Sequence, residues 1–383
     1  MKQEIKDREQ RSTTSGASML TVNKKKAVIL VIVVTFLVVV TSCASRNHGM
    51  YYQKSPEITF ASFSPTGQTF AAVFSWEHIN GIILFSHNGI ALKWLCKNTK
   101  KKYFSEPKFS PDGTKIAYVS GEEYKYTSIY IMDKDGGNIR RLTDSSNQDH
   151  TPAFSADGRQ VFFSRRPPSD ERISPRSDVW CVDLESRKEK RITNYSFARF
   201  YSLAVLPDDK HILISGFIKP QFQHLLWKVN IDHPEIISTL IPDLTPFAGQ
   251  PATRFLDKYE PSIAVPFKGI SKDGRFIVFP WSNPEPNGGY ANPQAYVTDM
   301  TNMKTTMLPS QDYSKSVPIA ISPDGRLILI NKYPRPTPPF GPIYPNSILY
   351  MVNRDGSGLR NLNLDFTAIW PEVLEAKRIH ERG

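Results

Sequence analysis

The sequence predicts an all-β fold, a six-bladed β-propeller of four-stranded antiparallel blades, on three observations. A tight-turn motif recurs six times: Ser64-Pro65-Thr66-Gly67, Ser110-Pro111-Asp112-Gly113, Ser155-Ala156-Asp157-Gly158, Leu206-Pro207-Asp208-Asp209, Ser271-Lys272-Asp273-Gly274 and Ser322-Pro323-Asp324-Gly325. Successive turns end 46, 45, 51, 65 and 51 residues apart. A short apolar run recurs in step with them, at Ile82 to Phe85, Ile129 to Met132, Val179 to Val182, Leu225 to Val229, Ala295 to Val297 and Ile348 to Met351. Four-stranded units repeating at about 50 residues mark sheets that bury their faces against neighbouring sheets.

The stretch from Pro107 to Thr143 shows one unit in full. In Ser110-Pro111-Asp112-Gly113, Pro presets φ, Asp bonds back to the backbone and Gly accepts positive φ. Phe109 precedes this turn and Ile116 to Val119 follow it. The third run ends at Asp133-Lys134-Asp135-Gly136-Gly137, a second tight turn, and Ile139 to Thr143 supply a weak fourth strand.

The unit resembles the TolB-type (WD-like) propeller repeat, P-x-[FW]-S-P-D-G followed by I-A-[FY]-x-S and I-Y-[VI]-M-D-x-D-G-x-N-x-R-R-L-T. Residues 107–143 match it nearly position for position, and Asp178 to Thr193 and Ile348 to Leu362 match well. The first, fourth and fifth units are degenerate. The resemblance spans roughly 56–370 and implies the propeller architecture; a fold hosts many functions, so it implies little about activity. Members of the TolB translocation type carry a small α/β domain before the propeller, and no counterpart is expected within residues 1–56.

The chain of 383 residues carries 30 Pro and 21 Gly, which suit turn-rich β structure, and a net charge of +11. A basic balance favours anionic partners or membrane surfaces, and equally suits a solvated surface. Residues 1–23 are polar and without apolar period. Lys24-Lys25-Lys26 then precede the apolar run Ala27 to Val40, which ends in Val40-Thr41-Ser42-Cys43-Ala44. A basic segment, a short apolar run and small residues make an export signal. Cys43 after Ser42 resembles the bacterial lipobox, which implies lipid attachment at Cys43. An uncleaved anchor is the alternative, although the run is short for a membrane span. Met19 offers a second start besides Met1. The expected organisation is a signal and anchor over 1–43, a tether over 44–56, the propeller over 57–370 and a tail over 371–383. Within the tail, Glu372 to Ile379 has a short helical pattern, and a closing strand at Ala368 to Trp370 is left open.

Antiparallel order puts the first and third turns of each unit on one face and the longer connections on the other. Those connections carry Tyr124, Tyr126, Arg165, Arg166, Arg172, Arg176, Trp281, Tyr290, Tyr333, Arg335, Phe340 and Tyr344. Aromatic and Arg side chains anchor binding surfaces, so this face is the expected ligand-binding face. Aromatics and Pro in long loops also serve to pack those loops down.

No catalytic, cofactor or metal motif is found. Propellers joined to serine peptidases need a following domain with a G-x-S-x-G elbow; none occurs, and about 20 residues follow the last repeat. His211, His224 and His233 lack metal-ligand spacing. Asp133-Lys134-Asp135-Gly136 and Asn353-Arg354-Asp355-Gly356 lack the distal ligands of a calcium loop and read as hairpin turns. Cys96 and Cys181 fall in units that are not neighbours and are expected to be unbridged, buried apolar positions. No nucleic-acid motif appears. The expected protein is a monomeric propeller, lipid-anchored in the bacterial envelope, that binds an envelope protein or glycan without catalysis. The alternative is an anchored enzyme such as a polysaccharide lyase or hydrolase, for which Asp149, His150, Asp257 and Glu260 are the acid–base candidates.

Overall fold

A computed structural model describes residues 56–381, apart from 78, 99–101, 124–125, 145, 168–175, 219–222, 245–266, 283–291, 310–312 and 335–346. The described chain is all-β, with one helix near its end. The strands fall into consecutive antiparallel meanders of four. The first is β1 (Glu57–Phe63), β2 (Thr69–Trp76), β3 (Ile79–Ser86) and β4 (Ala91–Asn98). The second is β5 (Tyr103–Phe109), β6 (Lys115–Glu123), β7 (Tyr126–Asp133) and β8 (Arg140–Arg141). The third is β9 (Gln148–Phe154), β10 (Gln160–Arg166), β11 (Asp178–Asp183) and β12 (Glu189–Arg191). The fourth is β13 (Arg199–Val205), β14 (His211–Ile218), β15 (Gln223–Asn230) and β16 (Ile237–Leu240). The fifth is β17 (Gly269–Ile270), β18 (Phe276–Trp281), β19 (Gln294–Asp299) and β20 (Lys304–Met307). The sixth is β21 (Tyr313–Ile321), β22 (Leu327–Pro334), β23 (Ile348–Asn353) and β24 (Arg360–Asn361). A single parallel bridge, Thr127 to Gln148, joins the second and third meanders into one sheet.

The turn chemistry explains the register. The Ser110 hydroxyl donates to Asp112 at 2.5 Å, and the same bond recurs from Ser155 to Asp157, Ser271 to Asp273 and Ser322 to Asp324. Each Asp also accepts the amide two residues on, and the closing glycines sit near φ +70°. In the fourth meander Asp209 takes the left-handed position instead, at φ 51°.

The second strands are buried on both faces, so they read as continuous apolar runs. On β2, Phe70, Ala72 and Phe74 enter a cluster with Leu329, Leu349 and Met351 of the sixth meander. The alternate residues Ala71 and Val73 enter one with Ile116 and Tyr118 of the second. β10, β14, β18 and β22 divide their residues the same way, giving an apolar layer between each consecutive pair of meanders. The turns also meet in sequence. A Cβ on Gly113 would stand 3.1 Å from the Pro65 ring, one on Gly158 3.6 Å from Pro111, one on Gly274 2.8 Å from Pro207, and one on Gly67 3.8 Å from Pro323.

The tail forms α1 (Trp370–Glu381), beginning earlier than the sequence pattern indicated. Ala368 and Ile369 form a turn entering this helix and not a strand. Cys96 and Cys181 are unbridged; Cys181 is buried and Cys96 half-buried, and burial pushes the Cys96 thiol up to about 12.

Candidate functional site

The first strand of each meander faces a common interior. A cavity of about 400 Å³ is lined by residues of β1, β5, β9, β13, β17 and β21, with Pro65, Pro111, Pro207 and Pro323 of the turns at one end. A narrower cavity of about 70 Å³ shares Ala61, Lys108, Leu203, Phe267 and Lys268 with it. A third, of about 560 Å³, shares Glu106, Thr151 and Tyr201 with the second and adds Gln148, His150, Arg166, Ser177, Arg199 and Phe200. Together they run from the turn side to the side of the long connections.

The inner strands are irregular where the narrow cavity lies. Register slips between Ile58 and Ala61, Ser105 and Lys108, Phe200 and Ser202, and Pro318 and Ala320. Glu106 and Thr151 both take φ 54°, a conformation that L residues adopt at a cost. Bulges re-aim side chains, and here Phe60, Glu106, Thr151, Tyr201 and Ile319 turn into the cavity.

Glu106 lines both the narrow cavity and the third, and His150 lines the third beside it. Glu106 Oε2 accepts the Thr151 amide, and Oε1 lies 3.7 Å from His150 Nδ1. The Thr127 hydroxyl donates to the Asp149 carbonyl at 3.0 Å, so His150 Nε2, 3.2 Å from that hydroxyl, is placed to donate to it. Nδ1 stands beyond hydrogen-bond distance of Glu106, so the two meet as an ion pair when the ring is charged. Burial works against this charge, but Glu106 outweighs it and His150 titrates above its ordinary value. Burial likewise opposes the Glu106 carboxylate, and His150, the Thr151 amide and Lys268 together hold it below the usual range. Lys108 and Lys268 also face this interior, and burial lowers both ammonium groups.

The family model of the TolB beta propeller domain matches residues 37–250, more than half of the chain. The chain belongs to this family. A peptidase of unknown character from Bacillus subtilis (strain 168), YuxL, is 33% identical over 99 residues, covering 26% of this chain and 15% of its own length. The uncharacterized protein Atu1656 of Agrobacterium fabrum is 26% identical over 153 residues, 40% of this chain and 49% of that protein. The chain thus spans half or less of these relatives. Among solved structures, TolB from Acinetobacter baumannii superposes with a TM-score of 0.50 at 20% identity, covering 79% of this chain and 62% of that one; at that identity the likeness is one of fold.

In this TolB-type propeller, several residues expected on connections lie in strands. Tyr126 opens β7, Arg165 and Arg166 end β10, Trp281 ends β18, and Tyr333 lies in β22. The strands run further out than their apolar cores because backbone pairing continues past the last buried residue. Arg165 is engaged internally: it bonds both Asp149 oxygens at 2.8 Å, pairs with Glu189, and covers Phe163 and Trp180. Its side chain is 10% exposed. Trp281 is half-buried, edge-on to Tyr296 at 5.5 Å. Tyr333 lies beneath the Lys315 ammonium, 4.5 Å from its ring centre, with its hydroxyl toward Glu57. Tyr126, Arg166 and Arg176 are exposed, and Arg166 borders the cavity of about 560 Å³. Tyr124, Arg172, Tyr290, Arg335, Phe340, Tyr344, Asp257, Glu260 and Cys43 lie outside the described residues. Of the acid–base candidates, His150 lines the site, while Asp149 is buried beneath it and committed to Arg165. No cluster of metal-ligating side chains occurs among the described residues.

Glu106, Lys108 and Lys268 escaped the sequence reading, yet the repeat carries a signal for them. Counted back from the turn, the equivalents of Lys108 are Ser62, Ala153, Ala204, Gly269 and Ala320, all small. Those of Lys268 are Ala61, Pro107, Pro152, Leu203 and Ile319, all apolar. A long cation replaces a small or apolar residue at each place.

Proposed function

We propose that this chain is a non-catalytic binding propeller held at the bacterial envelope through a lipid on Cys43. Its six meanders close into a six-bladed ring. An envelope protein or glycan docks at the side of the long connections, where Arg166, Arg199, His150 and Tyr201 border the cavity of about 560 Å³. That cavity is the observation carrying the reading. Its arginines are exposed, whereas the nearby carboxylates of Glu106 and Asp149 are spent on internal bonds. The apolar layer between the sixth and first meanders, and Gly67 beside Pro323, support the closed ring. The apolar run ending at Cys43 supports the anchor.

The test is capture from native bacterial membranes with the mature propeller and with an Arg166→Ala/Arg199→Ala variant. A specific envelope protein or glycan held by the first and lost by the second is the expected result. The same partner held equally by both removes docking from this side. A second reading, an envelope glycan-cleaving enzyme, is favoured by one observation: Glu106 and His150 stand side by side in the cavity wall. Cleavage of an envelope glycan that Glu106→Gln abolishes would establish that reading instead.

A further inference from the structure

The narrow cavity lies between the other two, and two lysines stand where it joins the turn-side cavity. Lys108 and Lys268 line both spaces. Lys108 reaches the interior from the bulge of β5, and Lys268 from the residue before β17. Neither ammonium has a hydrogen bond or an ion pair with a described residue. The Lys268 ammonium lies 5.6 Å from the Phe60 ring centre, a weak partner for a charge. Glu106 is the one carboxylate among the described residues that faces them, and it already accepts the Thr151 amide and faces His150. Two ammonium groups and the His150 ring therefore face one committed carboxylate.

Buried charges are ordinarily paired, because an unpaired ammonium away from bulk water costs several kcal/mol. A water-filled channel softens that cost without removing it. The repeat sharpens the point: the fold at these two positions is satisfied by Ala, Ser, Gly, Pro, Leu or Ile in the other meanders. Neither lysine is needed to build the strand, and each disfavours it.

We propose that Lys108 and Lys268 form an anion-binding site at this waist, taking a compact oxyanion of the carboxylate or phosphate class. Such a group bridges both ammonium groups in charge-assisted hydrogen bonds. The site is separate from the docking surface bordered by Arg166 and Arg199, and it stands whether or not that surface binds a macromolecule. Lowered ammonium pKa values at both lysines agree with it: burial is the leading cause for each, and the Lys268 charge adds to it at Lys108.

The test is a titration of the mature propeller with inorganic phosphate, acetate and glucuronate, each at constant ionic strength against chloride. The readouts are the thermal midpoint and the Nζ resonances of the two lysines. Wild type is expected to gain stability as one anion saturates it, with both Nζ resonances moving together. Each of Lys108→Met and Lys268→Met is expected to weaken binding about tenfold or more, and the double variant to abolish it. The double variant is expected to be at least as stable as wild type in chloride, so a lost response is not a lost fold. Phosphate leading the series identifies a phosphate source; glucuronate exceeding acetate identifies a sugar acid. An equal response in wild type and the double variant, or no response in wild type to any of the three, overturns the proposal. The Arg166→Ala/Arg199→Ala variant is expected to keep the full anion response, which separates this site from the docking surface.

Discussion

The Ala91 amide donates to the Asp365 carbonyl at 2.7 Å, and the Asp365 amide returns a bond to Gly89. Chain leaving the sixth meander is thereby fastened to the third-to-fourth-strand turn of the first. Past this bond Ile369 is buried in the layer between those meanders, the Trp370 ring lies 5.3 Å from Trp76, and Lys377 pairs with Glu77. Ile369→Ala is expected to cost about 2–5 kcal/mol, as for other buried aliphatic truncations. Lys97→Ala, which breaks an exposed pair with Glu372, is expected to cost less than about 1 kcal/mol. Urea midpoints at unchanged slope check both; a similar small loss in each would mean that the tail is not part of the cooperative unit.

Arg165 and its neighbour Arg166 are expected to separate cleanly. Asp149 is fully buried and Arg165 is its counter-charge. Arg165→Ala strands that carboxylate and is expected to cost about 3–5 kcal/mol. Arg166→Ala touches no described partner and is expected to change stability by less than about 0.5 kcal/mol. Urea denaturation of the two variants checks the contrast.

The strands and turns were legible in the sequence because each is fixed locally. Ser110 and Asp112 write their turn within four residues, and Ile116 to Val119 declare a strand buried on both sides. The interior site was not legible in the same way. Glu106 owes its placement to a bulge, and its partner His150 comes from the next meander, so their meeting depends on how the sheets stack. Arg165 shows the same limit: its type suits a binding anchor, and only the fold reveals Asp149 and Glu189 beside it. Lys108 differs from its five small equivalents, but that contrast emerges only when the repeats are aligned on their turns.

The turn glycines offer a graded series. Gly67, Gly113 and Gly274 all sit at φ of +73° or +74°, so alanine at each carries the same left-handed penalty, about 1–2 kcal/mol. What differs is the neighbour. The added Cβ meets Pro323 at 3.8 Å, Pro65 at 3.1 Å and Pro207 at 2.8 Å respectively. Stability loss is therefore expected to rise from Gly67→Ala to Gly113→Ala to Gly274→Ala. Thermal or urea midpoints of the three variants check the order; equal losses would show that the turns yield freely and that their contact is not tight.

The Glu106–His150 pair is expected to shape the dependence of stability on pH. His150 titrates above its ordinary 6.5 in the folded chain, so its contribution is complete below pH 6.5 and is lost as pH rises through the folded value. Glu106 titrates below its ordinary 4.5, so its contribution is complete above pH 4.5 and is lost as pH falls through the folded value. Both are present together between pH 4.5 and 6.5. The pair is partly shielded and its charges stand 3.7 Å apart, so about 1 kcal/mol is the expected scale. Wild type should lose that much more urea stability than His150→Gln between pH 6 and pH 8.5, and Glu106→Gln should flatten both limbs. If His150→Gln and wild type run parallel across that range, His150 is neutral in the folded chain and Glu106 does not hold its titration up. The hydrogen bond from Nε2 to Thr127 would then stand alone, with Nδ1 unprotonated before Glu106.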